Sequence, residues 1–299
     1  LEVRSSIARR LGMDIGGLIP SGRHVEGIVE IMLDATQNFA APLTKERLFG
    51  WHAALFPLGY SVMHLITVGD WRTSESGPMQ VISGPVGREK IHFEAPDAKR
   101  IEHEMAVFLA WFEHQQDIDP VIRAGIAHFW FVTIHPFEDG NGRIARAIGD
   151  AALARADNTP DRFYSLSSQI EIERTAYYEQ LENQQRSTPD ITGWLVWFLD
   201  CLGRAIYNAE QTLRHVLFKA ELWNKMSQNP INERQRIILN RMLEDDFVGY
   251  MNTAKYAKLA KCSNDTALRD IQELKACGIF IQNAGGGRST SYRLFVASP

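Results

Sequence analysis

The stretch HPFEDGNGRIAR, residues 135–146, decides how the central part of this chain folds. It follows the apolar segment IRAGIAHFWFVTI, residues 122–134, which must be a buried helix or strand. It leads into RIARAIGDAALARA, residues 143–156, which has the residue pattern of a helix. The glycines at positions 140 and 142 allow the backbone to turn sharply between these two elements. The sequence therefore predicts a loop that is delivered by one rigid element and ends at the N-terminus of another.

The residue types in this loop suit the binding of a polyphosphate. Backbone N–H groups of residues 140–142 and the positive end of the following helix form a cradle for an anion. Arg143 and Arg146 lie three positions apart, hence on one helix face, and can hold phosphate oxygens. Asp139 is a candidate ligand for the Mg²⁺ that accompanies a nucleoside triphosphate. His135, whose ordinary pKa lies near neutrality, is a candidate general base.

Each of these residues has a plainer explanation when it is taken alone. A single histidine is often structural, a Gly-Asn-Gly run is common in turns, and arginines in a first helical turn are often solvated. Their order on one loop is more specific. The stretch resembles the signature of the Fic family, HPFx[D/E]GNGRxxR, and matches it at every fixed position. The resemblance extends over about residues 4–214.

The resemblance implies a mainly helical core that transfers AMP from ATP, with Mg²⁺, to a Ser, Thr or Tyr hydroxyl of a target protein. By the same resemblance, His135 deprotonates the hydroxyl and Asp139 holds Mg²⁺ on the α and β phosphates. The remaining nucleotide-binding residues of the loop would be Phe137, Gly140, Asn141, Gly142, Arg143 and Arg146. Phe137 is also expected to anchor the loop in the core, because a phenylalanine has no polar group to offer.

Two further segments resemble parts of Fic proteins. Two β-prone runs within residues 79–96 predict a hairpin, and GPVGREKIHFEAP, residues 84–96, resembles the flap over the active site. The exposed edge of such a hairpin can pair with an added strand of a target protein. In TAYYEQLENQQ, residues 175–185, the tyrosines resemble an aromatic pair near the adenine. The site residues implied by these segments are Gly84, Pro85, Val86, Gly87, Tyr177, Tyr178 and, two helical turns further along, Gln185.

The length of 299 residues predicts about two domains. Because NPIN, residues 229–232, interrupts a helical run, we expect a Fic core at 1–229 and a second domain at 230–299. Three helix-like segments and two β-like runs make the second domain resemble a winged helix-turn-helix. Its recognition helix would be 265–276, with Thr266 and Arg269 facing outward and Arg288 on the wing.

Charge does not decide the partner of this second domain. The whole chain has a net charge of −4, while residues 232–299 carry ten Lys and Arg against seven Asp and Glu. That balance is modest for phosphate-driven binding. DNA binding and a protein-docking or dimerisation module therefore both stay open, with a second copy of the chain as a candidate partner.

Composition excludes several other classes of protein. With 45% hydrophobic and 23% charged residues, the chain is an ordinary globular protein. No apolar run reaches the roughly 20 residues of a membrane-spanning helix, and LEVRSSIARR lacks the pattern of a signal peptide, so a cytoplasmic protein without a membrane partner is expected. The three scattered cysteines indicate neither a disulfide framework nor a metal site.

Many Fic proteins carry an inhibitory helix with the motif [S/T]xxxE[G/N], which this sequence does not contain. VRSSIARRLGMD, residues 3–14, resembles the segment that follows this helix in one subclass, and the first residue is Leu1 rather than Met. We therefore expect the chain to begin just after an inhibitory motif.

Alternatives to AMP transfer are removal of AMP, transfer of another phosphate-containing group, or a DNA-binding regulator that only senses nucleotide.

Overall fold

The computed structural model describes residues 2–10, 22–61, 63–84, 88, 90–114, 117–186, 189–244, 247–284 and 290–295. The chain forms two compact units, Leu1–Ala209 and Glu210–Pro299. The sequence alone starts the second region at residue 230. The structure assigns residues 210–229 to the second unit because Phe218, Leu222 and Met226 pack in that unit's own apolar core.

The first unit is built mainly from helices. They are α1 (Glu2–Arg10), α2 (Arg23–Gln37), α3 (Lys45–Leu55), α4 (Ile101–His114), α5 (Pro120–Ile134), α6 (Asn141–Asp157), α7 (Leu166–Ile172), α8 (Arg174–Gln185) and the first part of α9 (Thr192–Gln228). Asp119 caps α5 by accepting from the N–H groups of Val121 and Ile122 at 2.9 and 3.2 Å, and Pro120 occupies its first turn.

Two antiparallel hairpins lie between α3 and α4. The first pairs β1 (Tyr60–Ser61) with β2 (His64–Leu65), and the second pairs β3 (Gln80–Ser83) with β4 (Lys90–Glu94). The second hairpin lies where the sequence predicts one, while its role as a flap stays a prediction. The first hairpin was not predicted, since strands of two residues are too short to show a period.

Helices α5 and α6 form the centre of the first unit. Phe131 and Ile148 are fully buried there, together with Trp194 and Phe198 of α9. The indole Nε1 of Trp194 donates to the carbonyl oxygen of Gly125 at 2.8 Å. The loop that joins α5 to α6 is therefore carried by two helices that a packed core holds firmly.

The second unit has its own core and its own elements. They are the end of α9, α10 (Glu233–Met242), α11 (Thr253–Ala260), α12 (Asn264–Ala276), β5 (Phe280–Gln282) and β6 (Tyr292–Leu294). β5 pairs antiparallel with β6, and Met251 forms an isolated bridge with Tyr292. Asn252 caps α11 and Ser263 caps α12.

The winged-helix assignment and its partner stay predictions. The buried carboxylate of Asp270 on α12 accepts hydrogen bonds from Asn232, Arg234 and Tyr256, which ties this helix to α10 and α11. Arg269 is exposed on the same helix, whereas Arg288 lies outside the described residues.

Two expectations from composition can be compared with these units. Cys201, Cys262 and Cys277 are all free cysteines. In the part of the chain that the structure describes, no helix combines the length and apolar character required to span a bilayer.

Candidate active site

The loop between α5 and α6 begins and ends in left-handed backbone. His135 ends α5 with φ 52° and ψ 57°, and its N–H donates to the carbonyl oxygen of Phe131 at 3.0 Å. Gly140 precedes α6 with φ 83°, where a Cβ atom would lie 2.9 Å from Cε2 of Phe56. Position 140 therefore requires glycine for two reasons, backbone conformation and space.

Asn141 closes the loop from inside. Its Oδ1 accepts from the N–H of Phe137 at 2.9 Å, and its Nδ2 donates to the carbonyl oxygen of Phe137 at 2.8 Å. The ring of Phe137 is fully buried and stacks on His52 with centroids 4.2 Å apart. Both side chains thus serve the shape of the loop, and their predicted contact with a nucleotide stays a prediction.

His135 is arranged as a neutral base. Its Nδ1 lies 3.2 Å from the carbonyl oxygen of Val132, which can only accept, so Nδ1 carries the proton and Nε2 is the acceptor. Burial, helped by the charge of Arg72, lowers the pKa of His135 to about 4, although the Val132 carbonyl and Asp139 act in the opposite direction. The unprotonated form therefore prevails at neutral pH.

Asp139 presents a carboxylate that is close to half-exposed. Its Oδ1 accepts from the N–H of Gly140 at 2.5 Å, and its Oδ2 accepts from the Ser61 hydroxyl and lies 3.4 Å from a terminal nitrogen of Arg143. Among the described residues, no group of three His, Cys, Asp or Glu side chains is arranged to hold a metal ion. Mg²⁺ can be held by a single carboxylate of this kind when its other ligands are phosphate oxygens and water.

The two arginines of the motif act on each other. The guanidinium of Arg143 lies over the ring of Phe56 at 4.9 Å, and the charge of Arg146 helps burial to lower the pKa of Arg143. A terminal nitrogen of Arg146 lies 3.7 Å from the place where a Cβ of Gly142 would be. Two positive charges thus converge at the N-terminus of α6, where an anion would relieve their repulsion.

The two tyrosines of α8 face different ways. Tyr177 is only 2% exposed, and its hydroxyl lies 3.0 Å from Nε2 of the buried His128. Tyr178 is 49% exposed, so it is the ring of this pair that a nucleotide can contact. Gln185 donates to the hydroxyl of Thr133 at 3.1 Å, two residues before His135.

The hairpin of β3 and β4 is held against the end of α8. Glu182 accepts from Lys90 and contacts His92 of β4. Arg186 donates to the carbonyl oxygens of His92 and Ile91 at 2.9 and 2.5 Å. Gly84 is exposed at the end of β3, while the predicted site residues Pro85, Val86 and Gly87 lie outside the described residues.

Sequence reasoning missed the residues that support the loop from outside the motif. His52 is buried, its Nδ1 accepts from the N–H of Gly69, and its Nε2 lies 3.2 Å from the Asp139 carbonyl oxygen. Ser61 and the buried Arg72 also contact the loop. Glu138, at the variable position of the motif, accepts from the N–H of Thr67 at 3.0 Å. Since no local pattern links these positions to the motif, the sequence carried no signal for them.

The buried histidines predict a loss of stability in mild acid. Burial lowers the pKa of His52 to about 4 in the folded chain, from about 6.5 when unfolded. The unfolded state therefore gains protons first, and stability that is complete above pH 6.5 is lost as the pH falls towards 4. His52 alone would account for up to about 3 kcal/mol. Thermal unfolding between pH 7 and 5 measures this loss, because most carboxylates remain ionised there.

The variant H52Q provides the comparison, since glutamine does not titrate. We expect its thermal midpoint to depend less on pH between 7 and 5 than that of the native chain. H103A, at an exposed position of α4, should leave the pH dependence unchanged. Equal slopes for H52Q and the native chain would contradict the assignment of a buried neutral imidazole.

Comparisons with known proteins agree with this geometry. The profile described as the Fic/DOC family matches residues 42–153, which contain α3 to α5 and most of α6. The "Protein adenylyltransferase fic-1" of Caenorhabditis elegans is 31% identical over 100 residues, 33% of this chain and 19% of the relative. The "Protein adenylyltransferase Fic" of Nematostella vectensis is 33% identical over 124 residues, 40% of this chain and 27% of the relative. The chain thus spans about a fifth to a quarter of these curated relatives.

One solved structure is similar over the full length. A crystal structure of a Fic family protein from Desulfovibrio desulfuricans G20 aligns with a TM-score of 0.50 and 18% identity. The alignment covers 100% of this chain and 82% of that chain. At this identity the similarity concerns the fold, which is mostly helical in the chain described here.

Proposed function

The chain belongs to the Fic/DOC family through residues 42–153, and from that premise we propose that it transfers AMP from ATP to a serine, threonine or tyrosine hydroxyl of a protein. Curated relatives that share this region are named protein adenylyltransferases. The observation that carries the proposal is the neutral His135, whose Nε2 is unprotonated and which lies on the loop that leads into the helix of Arg143 and Arg146. A base beside an anion-binding helix terminus is what this transfer requires.

In the proposed reaction, Nε2 of His135 accepts the proton of the substrate hydroxyl as its oxygen attacks the α-phosphorus of ATP. A bond forms between that oxygen and the phosphorus, and the bond from the phosphorus to the bridging oxygen of the β-phosphate breaks. Pyrophosphate leaves with the electron pair of the broken bond. Because the pKa of His135 is lowered to about 4, the base needs no prior deprotonation at neutral pH.

Positive groups at the start of α6 stabilise the charge of the triphosphate. Arg143 now lies 3.4 Å from the carboxylate of Asp139, and we propose that it exchanges this contact for phosphate oxygens when ATP binds. Arg146 lies beside Gly142, so the two guanidinium groups approach the phosphates from one helix face. Backbone N–H groups of the first turn add further donors.

The family implies Mg²⁺ with ATP, and the residues present fit that ion. Asp139 offers a carboxylate with an exposed fraction of 44%, and Mg²⁺ in nucleotide sites takes one or two carboxylates with phosphate oxygens and water. The ion, when bound, would neutralise charge on the phosphates. Ser61 and the N–H of Gly140 orient the carboxylate for this purpose.

We also propose that the hairpin of β3 and β4 is the flap that docks the target protein. Arg186 donates hydrogen bonds to the main-chain carbonyl oxygens of Ile91 and His92, and these bonds tie β4 to the end of α8. β3 is then the strand that can pair with an incoming segment. Pairing through main-chain groups demands little of the target's sequence, so several targets could share one edge.

The position of the transferred label tests the proposal. The chain is incubated with bacterial lysate and with ATP labelled either at the α or at the γ phosphorus. We expect protein bands to acquire the α label and not the γ label. A band labelled from the γ position would indicate a kinase instead.

The alternatives predict different outcomes of the same assay. Loss of label from proteins that already carry AMP would favour removal of AMP. Binding of ATP without labelling of any protein, including the chain itself, would favour a nucleotide sensor and contradict transfer. Neutral His135 argues against a sensor, because binding alone needs no base.

A further inference from the structure

Arg72 lies outside the motif and donates hydrogen bonds to the backbone of its first two residues. It is 5% exposed and follows Trp71, whose ring packs on Phe137 with centroids 5.0 Å apart. Its backbone N–H donates to the carbonyl oxygen of Pro136 at 2.9 Å, and its Nε donates to the carbonyl oxygen of His135 at 2.8 Å. One residue thus holds two consecutive carbonyls of the loop.

The same guanidinium reaches a second segment. Its terminal nitrogen donates to the carbonyl oxygen of Pro96 at 2.6 Å, and Pro96 lies two residues after β4. The guanidinium therefore donates one hydrogen bond to the loop and one to the base of the β3–β4 hairpin. Arg72 links the residue proposed as the base to the hairpin proposed as the flap.

The conformation of His135 gives this contact its importance. A left-handed backbone at a residue other than glycine is unfavourable and persists only where its surroundings fix it. Helix α5 fixes the N-terminal side of His135, through the bonds to Phe131 and Val132. Arg72 fixes the C-terminal side, through the His135 carbonyl.

The charge of Arg72 has little direct compensation. Among the described residues it forms no ion pair with a carboxylate, and burial lowers its pKa while the more distant Asp97 raises it. Burial of an arginine whose hydrogen-bond partners are carbonyl groups alone costs free energy of folding. Its charge faces His135, where it opposes protonation, and Asp139 is the charged group that acts in the opposite sense.

We propose that Arg72 is a positioning residue. It holds the backbone of His135 in the left-handed conformation that presents the unprotonated Nε2. It also couples His135 to the base of the β3–β4 hairpin. The inference rests on the proposed transfer of AMP for its consequence in turnover. Its structural part, the control of His135 by Arg72, can be measured without any turnover.

Kinetics of R72M and R72K test the positioning role. We expect R72M to lower kcat for transfer about 100-fold, since small displacements of a reacting group have effects of this size. The KM for ATP should change less than about threefold, because Asp139, Arg143 and Arg146 remain. R72K keeps the charge without the fork and should recover part of kcat. If R72M does not fold, R72K carries the test alone.

Arg155 offers a matched control in the same unit. It is partly buried and also donates to carbonyl oxygens, those of Phe39 and Ala41 at 2.6 and 2.8 Å, and it pairs with Glu113. R155M should reduce stability and leave kcat of the folded fraction unchanged. A kcat of R72M within twofold of the native value, the same result for R72K where only R72K folds, or an equal loss in R155M, would overturn the proposal.

An NMR titration of the His135 imidazole separates this inference from the proposed function. In the native chain the pKa is about 4, and we expect R72M to raise it. If the native chain transfers no AMP but the pKa rises in R72M, the proposed function falls and the control of His135 by Arg72 stands. If transfer proceeds and neither kcat nor the His135 titration responds to R72M, the inference alone falls.

Discussion

Replacing His135 with alanine is expected to lower the rate of AMP transfer by a factor of about 10² to 10⁴, the usual contribution of a general base. The imidazole is the side chain on the loop whose tautomer leaves an unprotonated nitrogen, since Nδ1 is bonded to Val132. Alanine at this position removes the acceptor for the substrate proton. Transfer of α label from ATP at saturating substrate measures the effect.

The same variant should bind ATP as the native chain does. The arginines and the N-terminus of α6, proposed to bind the phosphates, do not depend on the His135 ring. Calorimetric titration with ATP therefore serves as the control for folding, and H103A on α4 serves as the control for histidine replacement. A transfer rate in H135A within tenfold of the native rate would show that another group takes the proton.

The loop itself was predictable because its signals are local. The sequence placed a rigid element up to residue 134 and a helix from about residue 142, and α5 ends at Ile134 while α6 begins at Asn141. Glycine at position 140 accounts for the sharp turn, and the apolar run before it accounts for the buried helix.

The environment of the loop was not predictable in the same way. Ser61 and Arg72 contact it from 78 and 63 positions away, and His52 from 87 positions away. Such contacts depend on how α3, the first hairpin and the segment around Arg72 come to lie beside the loop, which no local period encodes. For a similar reason, the sequence does not show which of Tyr177 and Tyr178 is buried. Helical geometry indicates that they differ, but the fold decides which one is buried.

Replacing Phe137 with alanine is expected to lower the free energy of opening of the α5–α6 region by about 3 to 5 kcal/mol. The ring is fully buried between His52, at 4.2 Å, and Trp71, at 5.0 Å, so its removal leaves a cavity beneath the loop. His52 also holds the backbone of Asp139, and its loss of support should lower transfer activity as well. Amide hydrogen exchange of peptides from α5 and α6 measures the opening.

The size and location of the change distinguish a cavity from general damage. A loss of 3 to 5 kcal/mol corresponds to a decrease in protection of roughly two to three and a half orders of magnitude, because about 1.4 kcal/mol is a factor of ten. Peptides from α12 have their own core and should keep their protection. F163A, at a ring that is 78% exposed, should change protection little. If F137A and F163A behaved alike, the packing beneath the loop would not be what holds the motif in place.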